Sequence, residues 1–431
     1  MANETFQLAF PDLPVPTPTR ISYGISFAES CAKHVTETFH KSAAYVIASA
    51  SLSRQTPYLS QLEQALGSNH AGTWIGLRPH TFWDDLVPII NDIREKKADI
   101  IISLGGSSIA DGAKAITYAL ANNVQTVEEM RAIVKPTPED LARTIKVLER
   151  DGVGNAPTAP LIFIPTSLSG AEYSKFAGGT NAVTRQKDQL THPGMYASLV
   201  ILDPQLTVTT PFNVWIQSGV RAIDHCCESV CSSNAQPAVD ISAEKGLRLL
   251  IPGLLKTIED PQNLEARLNT QLGARLAMTM LNVNPMVMMG ASHGIGHQLG
   301  PLGVGHGHTS CILLPAVMKY NASNASLAKN DVLAQQAKLK EVLLAEDSIA
   351  SVLREAKIDI ETCDVGDVLR AIFNKLGMPA TLKEVGVGRD KFDTLAKNSL
   401  NDPFAPTNPV PLLKNDYDKV MEILELVAGD A

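Results

Sequence analysis

Four of the ten histidines in this chain lie within one short segment, Gly290–Asn321. They are His293, His297, His306 and His308. Imidazole is the usual protein ligand for divalent transition metals and the usual proton carrier near neutral pH. His293 and His297 are four positions apart, so a helix places them on one face. A single histidine is more often structural, but four around the glycine-rich break Gly300–Gly307 predict an active site.

Two turns that follow buried-strand patterns suit a phosphate-bearing cofactor. The first, Leu104–Lys114, reads LGGSSIADGAK and opens a helix. Its glycines allow close approach of the backbone, and a helix N-terminus presents free N–H groups to a phosphate. The second, Ile164–Glu172, carries a run of hydroxyl side chains after an apolar strand. Each is also compatible with a plain strand-to-helix connection or a helix cap, so neither alone establishes a cofactor site.

A third segment, Arg221–Glu228, is expected to be helical, and it would place Arg221 and His225 one turn apart on one face. In the loop before the last strand-like run, Lys187 and His192 could contact an anionic substrate, although charges in loops are mostly solvated. These residues add candidate groups for binding anions and for moving protons.

Composition and charge limit the classes to which the protein can belong. Its 431 residues, 45% apolar and 19% charged, suit a globular protein of two domains. The net charge of −8 argues against a nucleic-acid partner. The N-terminus lacks a signal-peptide pattern, and no apolar run approaches the ~18 residues of a membrane span. The six cysteines have neither zinc-site nor dithiol spacing, so we interpret them as small apolar residues. We expect a cytoplasmic protein without a membrane partner.

The first half of the chain alternates short β-branched runs with helical patterns. This alternation is typical of a parallel sheet with crossover helices. The runs are Tyr45–Ser49, Asp99–Ser103, Leu161–Pro165 and Leu199–Asp203. Between Lys114 and Pro160, Thr137 as N-cap and Pro138 at the first helical position predict an additional helix. We therefore predict a doubly wound α/β domain with a mainly parallel sheet over residues 1–204, with a helical elaboration at about 115–160.

Helical periodicity replaces the strand-like runs in the second half. A stripe of apolar residues, repeated every four positions, predicts one amphipathic helix. The stripe is formed by Leu264, Leu268, Leu272, Leu276 and Met280. Further helical patterns cover about Ser326–Glu355, Val365–Leu376 and Tyr417–Val427. We therefore predict an all-α domain over residues 205–431.

Several of these motifs occur in the order seen in the iron-containing alcohol dehydrogenase family, which this chain resembles. They are GGSSIADGAK, IPTSLSGAE, LVILDPQL, the HCCE segment, SHGIGH with HGHTSCILLP, and Asn408-Pro409-Val410-Pro411. The resemblance implies a dehydroquinate synthase-like fold. In that fold an N-terminal dinucleotide-binding domain and a helical domain hold NAD(P) and substrate in the cleft between them.

The resemblance also implies roles for individual residues. Along the pyrophosphate it places Gly105, Gly106, Ser107, Ser108 and Asp111. Beside the nicotinamide it places Thr166, Ser167 and Ser169. Three of the family's four metal-ligand positions are occupied by His225, His293 and His306. At the fourth position the family has an aspartate, and this chain has Arg221.

Loss of that aspartate is similar to the maleylacetate reductase branch, which works without metal. A guanidinium in place of a carboxylate changes the local charge by two units against a cation. Two unit charges about 4 Å apart repel by roughly 4 kcal/mol at an effective dielectric of ~20, and a divalent ion doubles that. We therefore expect no metal. The plainer interpretation of Arg221 is an i, i+3 salt bridge with Asp224, worth some tenths of a kcal/mol if exposed.

The resemblance implies an NAD(P)-dependent oxidoreductase that moves hydride between nicotinamide and a carbonyl or alcohol carbon. The expected substrate is a small oxo acid or ketone. We assign proton delivery to His297 or His293, and polarisation of the carbonyl to Arg221 with His225 and His306. Two alternatives stay open. One is a metal-dependent alcohol dehydrogenase in which Asp224 replaces the missing ligand, and the other is a non-catalytic nucleotide-binding protein.

The choice between NADH and NADPH depends on the residues that follow the first cofactor strand. Members of the family specific for NAD have an aspartate there, and this chain has Ser49. No carboxylate is then available to hold the ribose 2′-hydroxyl or to repel a 2′-phosphate, and Arg54 could pair with such a phosphate. We predict that NADPH is accepted alongside NADH. A homodimer is the expected assembly.

Overall fold

The computed structural model describes residues 3–13, 18–78, 81–134, 154–183 and 187–429, and the chain forms two compact units, Met1–Thr210 and Pro211–Ala431. The additional helix predicted from Thr137 and Pro138 lies outside the described residues. No described helix combines the length and the apolarity that a membrane crossing requires.

The first unit is built on a seven-stranded sheet. Its strands are β1 (Thr5–Leu8), β2 (Arg20–Tyr23), β3 (Ala44–Ala48), β4 (His70–Ile75), β5 (Ile100–Gly105), β6 (Leu161–Pro165) and, after a separate hairpin of β7 (Phe176–Thr180) and β8 (Lys187–Thr191), β9 (Leu199–Leu202). The strand order is β1-β2-β9-β6-β5-β3-β4, and every neighbouring pair is parallel except β1 with β2. The carboxyl ends of the central strands therefore meet at one edge of the sheet.

Helices cover both faces of this sheet. They are α1 (Phe27–Lys33), α2 (Ala50–Gln55), α3 (Tyr58–Leu66), α4 (Trp83–Glu95), α5 (Ser107–Ala121), α6 (Val127–Val134) and the short α7 (Pro204–Thr207). Val46 and Ile102 pack in one apolar cluster with Phe27 of α1 and Leu62 of α3. The next side chain along β3, Tyr45, points to the other face, where its hydroxyl donates to Asp92 of α4.

The predicted α/β class is confirmed, and the reason lies in the composition of the central strands. All five residues of β3, all six of β5 and all five of β6 are buried, which is typical of a parallel sheet covered on both faces. The strands that the sequence patterns did not predict are β1, β2 and β4 of this sheet and the two strands of the hairpin, β7 and β8. The two strands at the sheet edges, β1 and β4, lack such runs because only one side of each strand is paired, and most of their side chains stay partly exposed.

The second unit is entirely helical in the described residues, as predicted. Its helices are α8 (Phe212–Cys231), α9 (Pro237–Glu259), α10 (Leu264–Ala277), α11 (Ala291–Leu299), α12 (His306–Ser323), α13 (Val332–Leu344), α14 (Asp347–Glu355), α15 (Val365–Lys375), α16 (Phe392–Ser399) and α17 (Tyr417–Leu426). Helix α8 is central, because almost every residue from Gly219 to Cys231 is buried. It also carries the motif Arg221–Glu228.

The apolar stripe predicted for α10 is wrong as a description of its buried face. Leu264 is 38% exposed, whereas Arg267 is only 1% exposed and its guanidinium stacks 4.7 Å from the Trp215 ring centroid. Helix α10 instead packs closely against α9 through small residues, since a Cβ on Gly273 would lie 3.0 Å from the carbonyl oxygen of Gly246. Close backbone approach, rather than leucine volume, decides which face of α10 is buried.

Candidate active site

The first unit brings three predicted cofactor segments together at the carboxyl ends of β3, β5 and β6. The N–H of Ser49 donates to the carbonyl of Leu104, and the N–H of Thr166 donates to the carbonyl of Gly105. A Cβ on Gly106 would lie 3.7 Å from Oγ of Ser167. The turn after β5 thus has Ser49 on one side and the hydroxyl run on the other.

Gly105 is required at this turn for two reasons. Its φ of +155° is rarely adopted by residues with a side chain, and a Cβ there would lie 3.0 Å from Cγ1 of Ile109 and 3.1 Å from Cβ of Ser49. The following helix, α5, begins at Ser107 after Gly106, which provides no side-chain cap. Ser107 and Ser108 therefore lie in the first turn, where backbone N–H groups have no helical acceptor. Asp111 is one turn further along and pairs with buried Lys114 at 3.1 Å.

In the second unit, three helices carry the predicted catalytic residues. Arg221 and His225 lie on α8, His293 and His297 on α11, and His306 at the first position of α12. The rings of His225 and His293 stack with centroids 5.0 Å apart, and those of His293 and His297 meet edge to face at 6.3 Å. His306 is exposed, and its charge contributes to lowering the pKa of His225 and of His293.

Arg221 is held by a chain of hydrogen bonds that ends on a buried carboxylate. Its Nη1 donates to Oγ of Ser310 at 3.0 Å and lies 3.5 Å from Oδ2 of Asp224. Ser310 donates to the same Oδ2, as does Ser292 at 3.2 Å. Asp224 has no exposed side-chain surface, so this is not the exposed salt bridge considered from the sequence. Burial lowers the pKa of Arg221, and the carboxylates of Asp224, Glu228 and Asp402 oppose that shift.

Glu228 binds the N-terminus of α11. Its carboxylate accepts backbone N–H groups from Gly290 at 3.1 Å, Ser292 at 2.8 Å and His293 at 3.3 Å, and so satisfies three donors that the helix leaves unpaired. The same carboxylate contacts Nδ1 of His293 at 2.6 Å. Burial raises the pKa of Glu228, and the nearby Asp224 raises it further.

His225 and His293 are neutral bases in this environment. Burial lowers the pKa of each ring well below its ordinary value, and the positive charge of Arg221 lowers it further. Nδ1 of His225, Nε2 of His293 and Oδ1 of Asp224 are buried and have no hydrogen-bond partner among the described residues. These two histidines can therefore accept hydrogen bonds, but they are poor proton donors.

His297 has a different environment, because its ring is 35% exposed. Its Nδ1 lies 2.9 Å from Oδ2 of Asp402, a residue 105 positions away in sequence. The ring of Phe404 lies 5.7 Å from the His297 ring, between centroids. His297 thus combines partial access to solvent with a carboxylate partner.

The sequence did not identify four polar residues of this site. They are Glu228, Ser292, Ser310 and Asp402. Glu228 could have been found, because positions 221, 225 and 228 share one face of a helix. No local pattern marks the other three, whose partners lie on other elements.

Several other predicted residues lie apart from these groups. His308 is half-buried, and its Nε2 accepts from Nε2 of Gln217 at 3.0 Å. In the first unit His192 is buried, and its Nδ1 accepts the N–H of Gly194 at 2.9 Å, so this nitrogen serves a local turn rather than a ligand. The described cysteines are all buried and free, as small apolar residues would be. The side chain of Lys187 lies outside the described part of the chain.

One group of side chains among the described residues has the composition of a metal site. Single donor atoms of Asp224, Glu228 and His293 all lie within 4.8 Å of one another. This set differs from the three histidines that the family resemblance implies, and it shares only His293 with them. Several of its oxygens already accept hydrogen bonds from backbone N–H groups or serine hydroxyls.

Comparison with known proteins identifies the family. The model of the iron-containing alcohol dehydrogenases matches residues 18–204, and that of the C-terminal part of the Fe-containing alcohol dehydrogenase family matches residues 215–426. The chain belongs to this family, as the sequence motifs implied. It is a nicotinamide-dependent oxidoreductase that acts on alcohol or carbonyl groups, so the non-catalytic alternative is rejected.

Individual relatives agree with this assignment. Dehydrogenase FUM7 of Gibberella moniliformis is 36% identical over 428 residues, which cover 95% of this chain and 96% of the relative. Dehydrogenase ALT3 of Alternaria alternata is 35% identical over 395 residues, which cover 88% and 97% of the two chains. The solved structure of maleylacetate reductase from Agrobacterium tumefaciens has a TM-score of 0.73 at 23% identity and covers 96% of this chain and 97% of its own, which shows the same fold.

Proposed function

We propose that this protein is a metal-independent reductase of small oxo acids, similar to the maleylacetate reductases. The observation that carries the proposal is Arg221, which takes the sequence position of the family's metal-binding aspartate and is fixed by Ser310 and Asp224. A guanidinium stays charged at any working pH, binds a carboxylate through two parallel hydrogen bonds and stabilises a developing alkoxide. These properties favour a substrate that carries a carboxylate near its carbonyl group.

The residues present do not suit the family's metal. Three histidines could hold a divalent ion, as in known zinc sites, but Arg221 contributes positive charge that already lowers the pKa of His225 and His293. The same charge would repel a cation bound between those rings. Asp224, the remaining carboxylate on this turn of α8, is engaged by Ser310, Ser292 and Arg221.

Proton delivery is assigned to His297 rather than to His293. The sequence left both open, but His293 is fully buried and its pKa is lowered, whereas His297 is partly exposed and faces a carboxylate. The bound nicotinamide would supply the hydride. Arg221 would hold the carbonyl oxygen and stabilise its charge. The neutral rings of His225 and His293, with His306, would line the site as hydrogen-bonding groups.

We assign cofactor binding to the turn of the first unit. Gly105, Gly106, Ser107 and Ser108 offer backbone N–H groups for the pyrophosphate, with Asp111 beyond them. Thr166, Ser167 and Ser169 offer hydroxyls on the side of β6. Ser49 and exposed Arg54 would donate hydrogen bonds to the 2′-phosphate of NADPH. Because Ser49 carries no charge that would repel this phosphate, we propose that the protein uses NADPH as well as NADH.

A metal-dependent alcohol dehydrogenase is the second candidate, and one observation favours it. Asp224, Glu228 and His293 form a buried three-donor group, and two of their atoms, Oδ1 of Asp224 and Nε2 of His293, have no partner among the described residues. The composition and spacing of these three side chains would suit a small divalent cation. It would have to tolerate Arg221 beside it.

One experiment separates the two candidates. Purified protein is analysed for iron and zinc, and NADPH or NADH oxidation is then followed with maleylacetate or a related oxo acid, before and after treatment with a chelator. We expect sub-stoichiometric metal and chelator-resistant turnover. Stoichiometric metal, or activity lost to the chelator and restored by added metal, would establish the second candidate. Turnover of simple aldehydes but of no oxo acid would reject the proposed substrate class.

The assembly and compartment expected from the sequence stay predictions. Sedimentation of the purified protein would test the homodimer.

A further inference from the structure

We propose that Asp402 is a positioning residue for proton transfer, which fixes the ring of His297 so that Nε2 carries the proton that moves. This inference rests on the proposed role of His297 in the reaction. It does not depend on the metal question, because neither residue belongs to the three-donor group.

The contact between the two side chains is specific. Oδ2 of Asp402 lies 2.9 Å from Nδ1 of His297, within ordinary hydrogen-bond distance. A carboxylate accepts hydrogen bonds and does not donate them, so Nδ1 carries hydrogen in both the neutral and the charged ring. In the neutral ring Nε2 is then a lone-pair acceptor, and in the charged ring it is the other N–H. The proton that the ring gains and loses is therefore the one on Nε2.

The position of Asp402 is itself determined by its surroundings. The side chain is 7% exposed, and its other oxygen, Oδ1, accepts the N–H of Phe404 at 3.0 Å. The segment that carries it approaches α11 where that helix has Gly294, because a Cβ on Gly294 would lie 3.4 Å from Oδ1 of Asp402 and 3.3 Å from the backbone nitrogen of Ala405. Because Gly294 has no side chain, the Asp402 carboxylate can approach α11 closely, one turn before His297.

Phe404 restrains the ring from a second side. Its ring lies 5.7 Å from that of His297 at an interplanar angle of 46°, and it also meets His293 edge to face at 6.1 Å. Asp402 and Phe404 are joined by the hydrogen bond to Oδ1, so one short segment sets both the hydrogen bond and the packing of His297.

This arrangement suits the proton step of carbonyl reduction. A bound nicotinamide would supply hydride to the carbonyl carbon, the π electron pair of the carbonyl would move to its oxygen, and that oxygen would take the Nε2 proton of His297. The ring passes from the charged to the neutral form and keeps its Nδ1 hydrogen on Asp402. Because Asp402 holds the Nδ1 hydrogen, Nε2 is the atom that gives up the proton in reduction and takes it back in the reverse direction.

The first test is structural and needs no turnover. In protein labelled with ¹⁵N-histidine, the nitrogen shifts of His297 should report hydrogen on Nδ1 in the wild type. In Asp402→Asn the amide can donate to Nδ1, so the hydrogen should move to Nε2. Asp390→Asn is the matched control, since Asp390 is 70% exposed and pairs with its neighbour Lys391. Identical His297 shifts in the wild type and in Asp402→Asn would overturn the proposal.

The second test is kinetic and uses any carbonyl substrate that the wild type reduces. General acid catalysis contributes about 10²–10⁴-fold to rate, and Asp402→Asn should remove part of that contribution, so kcat should fall by about tenfold or more. KM and the nucleotide Kd should stay within about twofold, the solvent isotope effect in D₂O should rise, and Asp402→Glu should recover part of kcat. In a His297→Ala background, Asp402→Asn should have no further effect on kcat. A full additional loss in that background would show that Asp402 acts elsewhere.

These outcomes distinguish failure of the inference from failure of the proposed function. If the wild type reduces only substrates outside the oxo acids, the tautomer measurement still decides the role of Asp402. If His297→Ala retains wild-type kcat, His297 is not the proton donor and the inference falls, whatever the substrate.

Discussion

Nη1 of Arg221 lies 3.0 Å from Oγ of Ser310, although the two residues are 89 positions apart and belong to different helices. Ser310 in turn donates to Asp224, which is one turn from Arg221 on α8. Ser310 of α12 therefore orients the guanidinium, and Asp224 of α8 balances its charge. Long side chains normally lose conformational freedom when they bind a ligand, and one already held in place loses less.

Substitution of Arg221 should affect carboxylate-bearing substrates most. In Arg221→Ala, kcat/KM for an oxo acid should fall by about 10²–10³-fold, as when one donor to a developing oxyanion is removed. A neutral ketone of equal length should lose less, because it forms no ion pair with residue 221. Arg221→Lys should recover only part of the loss, since lysine lacks the planar fork. Steady-state kinetics on both substrates measure the difference.

Arg248→Ala is the control for that experiment, because Arg248 is 43% exposed and pairs with Glu346 away from the site. Equal losses for the oxo acid and the neutral ketone would show that Arg221 does not recognise a carboxylate. Arg221→Asp gives the converse result: it restores the family's aspartate, should depress oxo-acid turnover and should raise the affinity for added zinc or iron.

Gly105→Ala should weaken cofactor binding and destabilise the first unit. An alanine there would have an unfavourable φ and would meet Ile109 and Ser49 at 3.0 and 3.1 Å. Alanine at an incompatible glycine position costs about 1 kcal/mol or more. Nucleotide Kd, measured by calorimetry, should rise by about fivefold or more if that energy is lost from binding, and Tm should fall. Gly300→Ala, which has no atom within 4 Å of the new Cβ, should change neither quantity. An unchanged Kd in Gly105→Ala would place the pyrophosphate elsewhere.

Arg54→Ala should separate the two nicotinamide cofactors. Loss of a charge-assisted hydrogen bond costs about 1.5–3 kcal/mol, so KM for NADPH should rise by about tenfold or more. KM for NADH should hardly change, because NADH has no 2′-phosphate. Ser49→Asp should also favour NADH over NADPH, because the new carboxylate would repel the 2′-phosphate of NADPH and accept a hydrogen bond from the ribose 2′-hydroxyl of NADH. The exposed Arg354, in the other unit, provides an Arg→Ala control. Parallel changes for NADH and NADPH would contradict the assignment of Arg54.

Glu228→Gln should flatten the pH dependence of stability between about pH 4.5 and pH 8. Burial and the neighbouring Asp224 raise the pKa of Glu228 from 4.5 to about 8. A group whose pKa is raised by folding stabilises the protein fully when the pH is below its pKa in the unfolded chain. That stabilisation is lost as the pH rises through its pKa in the folded protein. The free energy of unfolding of the wild type should therefore fall from about pH 4.5 to pH 8, by up to about 1.4 kcal/mol per pH unit for one proton.

Denaturant titrations from about pH 5 to about pH 9, which span most of that window, compare the two proteins. Glutamine cannot ionise, so the slope in Glu228→Gln should be smaller, even if its absolute stability is lower through poorer capping of α11. Glu425→Gln is the control, because Glu425 is 47% exposed and pairs with Arg389. The same slope in the wild type and in Glu228→Gln would mean that Glu228 is ionised throughout.

The sequence by itself determined the two-unit architecture and the faces of single elements. The mainly apolar runs of β3, β5 and β6 predicted buried parallel strands, since a sheet covered on both faces has few polar residues on either. Spacing of four along a helix predicted that Arg221 shares a face with His225 and that His293 shares one with His297. Each of these predictions depends only on the geometry of one strand or helix, and the periodicity of its own sequence indicates that geometry.

Only the tertiary structure decided which groups these faces meet. Packing brought Glu228 to the N-terminus of α11 and Asp402 to His297, and so made one histidine of α11 a buried neutral base and the other a candidate proton donor. It also buried Arg267 in place of Leu264 on α10. Periodicity fixes the direction of a side chain relative to the axis of its own helix. Its burial and hydrogen-bond partners depend on segments 65 to 105 positions away, whose approach is set by packing of the whole unit.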